Sequence, residues 1–213
     1  MSGLDERRKA MMGEIDYGLP KGYMAVEYLE STSEKQWFDS GIKASNKVNI
    51  QGEFYVDRTT IADNYVCVWG GENSISNKST SLLRNKDGSW TFCSGLHRSD
   101  FDQPSDERLR FTVSTTVRDC IINGVIRKEV SSTSFTANRN IFIFGTSSST
   151  RLKSDKGDDG IKRIYWMKMW ENGNLVRDFQ PCLDASSTPC LYDRVSKQTF
   201  YNKGSLRLGY KLL

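Results

Sequence analysis

Between Lys47 and Asp57 the chain alternates: Val48, Ile50, Phe54 and Val56 are apolar, and Lys47, Asn49, Gln51, Glu53 and Asp57 lie between or beside them. A period of two marks a strand with one buried face and one wet face, so this segment must sit in a sheet that covers a core. Gly52 falls on the apolar side, where the missing side chain lets another strand approach. Three dipeptides extend the pattern: Asp87-Gly88, Asn123-Gly124 and Asn172-Gly173 suit two-residue type I′ hairpins, because both positions tolerate a positive φ. Each has strand-like flanks. Leu82 to Arg84 and Trp90 to Phe92 surround the first, Cys120 to Ile122 and Val125 to Ile126 the second, Ile164 to Trp170 and Leu175 to Phe179 the third. With Tyr65 to Trp69, Leu109 to Val113 and Ile141 to Phe144, the chain reads as roughly ten or more short strands, the signature of a sandwich or barrel.

The core of such a fold must come from rings. Ten Phe, nine Tyr and five Trp are spread along 213 residues, a length that suits one all-β unit. Mean hydropathy is −0.56 and no apolar run approaches the ~18–20 residues of a membrane span. The 30 cationic side chains are interspersed with 26 acidic ones for a net charge of +4, with no basic stripe of the kind that tracks a phosphate backbone, so nucleic acid is not an expected partner. The five cysteines, Cys67, Cys93, Cys120, Cys182 and Cys190, are odd in number and lack metal-ligand spacing; they read as reduced core residues, with Cys182 and Cys190 near enough in sequence to pair across a loop.

Residues 1–16 differ in character. Ser2 and Asp5 have the form of a helix N-cap, and Leu4, Met11 and Ile15 recur at helical spacing around a charged face, which predicts a short helix. A helix of this length is marginal unless it docks, so it reads either as a disordered leader or as an assembly anchor through Leu4, Met11 and Ile15. Pro20 with Gly18 and Gly22 ends it, dividing the chain into an anchoring segment and linker at 1–22 and a sandwich at 23–213. No apolar h-region follows the charged start, so a secretory signal peptide is not expected.

Two stretches carry a family resemblance. Val26-Glu27-Tyr28-Leu29-Glu30-Ser31-Thr32 with Gln36-Trp37-Phe38-Asp39-Ser40-Gly41-Ile42 resembles the opening of laminin G-like domains, which are concanavalin A-like jelly rolls found in phages and prophages of gut bacteria. Ile164 to Gly173 with Leu175 to Cys182 resembles that family's penultimate hairpin, and Leu191-Tyr192-Asp193 with Phe200-Tyr201-Asn202 resembles its closing strand. Leu19-Pro20-Lys21-Gly22-Tyr23 behind a charged leader is similar to phage-encoded members. The resemblance implies an all-β, two-sheet antiparallel jelly-roll sandwich with a short N-terminal helix. It further implies a non-enzymatic virion surface protein, whether capsid decoration, head fibre or tail-associated adhesin, homo-oligomeric, attached by residues 1–22 and binding host or mucosal glycans. The alternatives are a bacterial carbohydrate-binding or adhesion module and, behind it, a glycosidase, because one fold hosts many functions.

The residues offer few sites. Glycan stacking needs an exposed ring beside planar polar groups, which singles out Trp69 with Asn73, and Trp90 with Asn85; core packing is the competing reading of both rings. Asp100 and Asp102 have the spacing of two carboxylates on one face, yet their surroundings, with His97, Pro104 and Asp106, read as loop. His97 is the only histidine and no nucleophile motif accompanies it, so no catalytic group is assigned. Asp155, Asp158 and Asp159 beside Gly157 and Gly160 form a weak calcium candidate, set against nearby lysines that neutralise it, and no cofactor is otherwise expected.

Overall fold

The computed structural model describes residues 17–61, 65–73, 78–102, 110–116, 118–129, 134–147, 156–157, 160–205 and 207–213. In chain order the strands are β1 (Met24–Ser31), β2 (Phe38–Ser45), β3 (Val48–Val56), β4 (Tyr65–Asn73), β5 (Lys78–Asn85) and β6 (Ser89–Gly95). Next come β7 (His97–Asp102), β8 (Arg110–Thr115), β9 (Asp119–Ile122), β10 (Val125–Glu129), β11 (Thr136–Ile143) and β12 (Gly145–Ser147). The last six are β13 (Lys156–Gly157), β14 (Lys162–Glu171), β15 (Asn174–Leu183), β16 (Pro189–Asp193), β17 (Gln198–Tyr201) and β18 (Gly209–Leu212).

They form a two-sheet jelly-roll sandwich. The first sheet runs β10-β9-β8-β3-β14-β1-β15-β16-β17 with β18 against β1, and the second runs β13-β12-β4-β5-β6-β7 with β11 on β4 and β2 on β11. Every pairing is antiparallel except β12 on β4. Among the described residues the helical content is one turn of 3₁₀ helix at Arg58–Thr60, and none is a helix long and apolar enough to cross a membrane. The expected N-terminal helix, with Leu4, Met11 and Ile15, lies outside the described residues.

The alternation of β3 is realised: Val48, Ile50, Phe54 and Val56 are buried, while Asn49, Gln51 and Glu53 point away from the core. Ile164, Met167 and Met169 of β14 and Val113 of β8 extend that inner face. Phe38 of β2, Val66 and Trp69 of β4, Leu82 of β5, Phe92 of β6 and Ile143 of β11 meet them from the other sheet. Ring burial of this kind supplies roughly 1.5–3 kcal/mol per large side chain and holds the two sheets face to face. Phe144 closes β11 with a φ of +68°, its N–H bonded to Val68 O at 2.8 Å and its ring sealed beside Phe38.

Asn123-Gly124 and Asn172-Gly173 carry positive φ at both positions and make the two-residue hairpins their sequences predict. Asp87-Gly88 departs from expectation. Only Gly88 has positive φ, and its N–H bonds Asn85 O at 3.1 Å, so a longer turn joins β5 to β6. The stretch with His97, Asp100 and Asp102, expected to be a loop, is the edge strand β7: Ser99 and Phe101 alternate with exposed Arg98, Asp100 and Asp102. Pairing with β6 satisfies its backbone on one side, and the charges protect the open edge.

Candidate functional site

The site grows from an irregularity in β14. Its register against β3 shifts between Ile164, opposite Phe54, and Trp166, opposite Glu53, leaving Tyr165 as an extra residue. This β-bulge lets two consecutive residues face outward while Ile164 and Met167 stay in the core. Gly52 accommodates the bulge. A Cβ there would lie 2.9 Å from Trp166 O and 2.6 Å from Phe54 Cε2, so the glycine yields space to its own strand's ring and the neighbouring strand's carbonyl.

Outside the first sheet, the bulge aromatics join a lattice of charges. Trp166 Nε1 donates to Glu53 Oε2 at 3.1 Å, fixing a half-buried indole. Arg110 Nε donates to Glu53 Oε1, and the guanidinium lies 3.7 Å from the centre of the Tyr165 ring, which meets Tyr28 edge-on at 5.6 Å. Arg163 donates to Glu30 Oε2 at 2.7 Å and stacks over both Tyr28 and Tyr55. Cation–π contacts of this sort hold each guanidinium flat on a ring. Burial opposes the Arg110 charge, but Glu53 more than offsets it and the guanidinium ends above its ordinary pKa; Arg163 follows the same pattern with Glu30. Burial pushes the Tyr165 hydroxyl up, so it stays protonated and able to donate.

Beside this lattice opens a cleft of about 480 Å³, bordered by Glu27, Arg110, Tyr165, Trp166, Lys168 and Gln180, with Tyr17, Val26, Arg194 and Leu213 at its margins. Lys168 is half-buried and has no ion-pair partner among the described residues. A fixed indole, two cationic side chains, an amide and a carboxylate surround one concavity, and the carboxylate, Glu27, is paired with Lys211 at 2.8 Å and with Arg110 at 3.7 Å.

The sequence places the aromatic role elsewhere. Trp69 is 1% and Trp90 4% exposed, and both belong to the core, Trp69 edge-on to Phe92 and Trp90 beneath the Arg84 guanidinium at 4.9 Å. Neither offers a face to a ligand, which corrects the stacking reading and leaves the core reading. Asn73 ends β4 opposite Lys78. Asn85, 9% exposed, lines a separate cleft on the second sheet. Asp155, Asp158 and Asp159 lie outside the described residues, among which no group of three or more His, Cys, Asp or Glu side chains could hold a metal. Asp100 accepts from Thr91 Oγ1 and pairs with Arg98.

All five cysteines are buried and unbridged. Cys182 and Cys190 stand opposite one another on β15 and β16 with their sulfurs 3.5 Å apart. The bond with Cys182, reinforced by burial, raises the Cys190 pKa. Burial pushes the Cys120 thiol up to about 12. Both therefore remain thiols at neutral pH.

No family model matches the chain, and no curated relative matches it. Among solved structures it is similar to the mouse laminin α1 chain, domains LG4-5, at 14% identity and a TM-score of 0.42. The match covers 89% of this chain and 45% of that one, so the chain spans less than half the length of that structure. The sandwich assignment stands on the two sheets themselves.

Proposed function

We propose that the chain is a non-enzymatic glycan-binding module whose recognition surface is the cleft on the outer face of the first sheet. The observation that carries this reading is the Trp166 indole, half-buried at the cleft and held by Glu53 at 3.1 Å. A ring fixed before binding loses little freedom when a sugar stacks on it, which favours affinity. Arg110, Lys168, Gln180 and Glu27 then supply donors and acceptors to the hydroxyls. Against a glycosidase reading, the Asp100 and Asp102 pair lies on β7 of the second sheet and does not line this cleft.

The display setting is proposed from the sequence: residues 1–22 attach the sandwich to other virion proteins, in copies that follow the symmetry of the particle. Deleting residues 1–16 should release the protein from particles without unfolding the sandwich; unchanged particle association would remove this part of the reading. The glycan part is tested by a glycan array followed by titration calorimetry on Trp166→Ala. An anchor of this type contributes about 2 kcal/mol or more, so Kd should rise roughly thirtyfold.

A further inference from the structure

A second cleft, of about 610 Å³, opens on the second sheet between the start of β4, the β5–β6 turn and β7. Its wall holds Tyr65, Asn85, Asp87, Ser89, Arg98 and Asp100. These groups are set in advance by a chain of hydrogen bonds. Asn85 Nδ2 donates to Ser89 Oγ at 2.8 Å and to Thr91 Oγ1 at 3.0 Å. Ser89 donates through both its N–H and its hydroxyl to Asp87 Oδ1, each at 2.8 Å. Thr91, fully buried beneath, donates its proton to Asp100 Oδ1, and Arg98 Nε reaches the same oxygen at 3.4 Å.

The direction of each bond decides what is left over. Both hydrogens of the Asn85 amide are committed inward, so Oδ1 remains as an acceptor that takes nothing from the described residues. Asp100 keeps Oδ2, and Arg98 keeps its two terminal nitrogens, for a ligand. The cleft therefore offers both acceptors and donors, which adjacent hydroxyls need because each both gives and receives. Lys86 and Arg98 balance Asp87 and Asp100, so the lining carries no net charge and does not favour an anion.

We propose that this cleft is a second binding site, specific for a neutral sugar through a pair of adjacent hydroxyls, with the Tyr65 ring beside it. The site stands independently of the first cleft; with both, the module holds ligand on each of its two sheets.

The test is NMR titration of the full chain with neutral methyl pyranosides and, separately, with a uronic acid. The expected result is a saturable shift of the Asn85 side-chain amide and of backbone signals in the β5–β6 turn and β7 with a neutral sugar. Arg98→Ala and Asp100→Asn should each weaken it roughly tenfold or more, the loss expected for a hydrogen bond to a charged group. Arg98 is exposed, so its variant keeps the fold. Trp166→Ala should leave these shifts intact, so failure of the first cleft and failure of this one are read separately. No shift at these signals with any neutral sugar, or shifts with the uronic acid alone, would overturn the proposal.

Discussion

Trp166 and Glu53 are joined across the β14–β3 ladder by a 3.1 Å hydrogen bond, and Glu53 also holds Arg110, so one carboxylate fixes both an aromatic and a cation at the rim of one cleft. Glu53→Ala should free both groups and weaken glycan binding about tenfold. Glu53→Gln keeps an acceptor for the indole and should retain most of the affinity. Because the Arg110 side chain is 46% exposed, a double-mutant cycle with Glu53 should give less than about 1 kcal/mol of coupling in stability. Equal binding losses for the two variants would contradict a positioning role.

Gly52→Ala tests the bulge. The new methyl would lie 2.6 and 2.7 Å from Phe54 Cε2 and Cζ and 2.9 Å from Trp166 O, and neither a core ring nor a paired backbone can yield cheaply. The expected destabilisation is about 1–3 kcal/mol by denaturant melt, together with altered near-UV signal from the aromatics. A neutral effect would mean that the bulge relaxes.

Trp69→Ala and Trp90→Ala should behave as core deletions and cost about 3–5 kcal/mol each. A variant with unchanged stability and lost ligand binding would restore the stacking role that burial removes.

Acid stability should depend on Asp184. Its carboxylate accepts from the Thr188 N–H at 2.9 Å, the Ser186 N–H at 2.8 Å and the Tyr201 hydroxyl at 2.9 Å. The Thr188 bond is the largest cause of a pKa held below the ordinary carboxylate value. A depressed folded pKa stabilises above the unfolded value of about 3.9, and the contribution is lost as pH falls through the folded one. The Tm gap between wild type and Asp184→Asn should thus be constant near neutrality and shrink below about pH 4. The partner Tyr201 hydroxyl is raised, chiefly by this same bond, so its contribution holds below about pH 10 and is lost at higher pH. A gap that stays constant into acid would show that the hairpin does not rely on the charge.

Much of the fold is legible because burial on one face writes a period of two: β3 and the two Asn-Gly hairpins are read directly from Val48 to Val56, Asn123 and Asn172. β7 is not, because both faces of an edge strand are partly wet and Arg98, Asp100 and Asp102 look like loop. The first cleft is hidden for a different reason. A bulge changes the parity of β14, so alternation counted from Ile164 assigns Trp166 to the core. The signal that reveals it is local: Tyr165 and Trp166 stand side by side just before Met167, Lys168, Met169 and Trp170 resume a clean alternation. Trp69 and Trp90 fail as candidates because a ring in a strand-like run says nothing about which sheet face it takes.

Calorimetric titration of the full chain, wild type against Trp166→Ala, with a glycan selected on an array, bears most directly on the recognition surface. Saturable binding by the wild type and a roughly thirtyfold loss in the variant, with the variant still folded at the titration temperature, is the expected result. A blank array, or an affinity that Trp166→Ala leaves untouched, would contradict it.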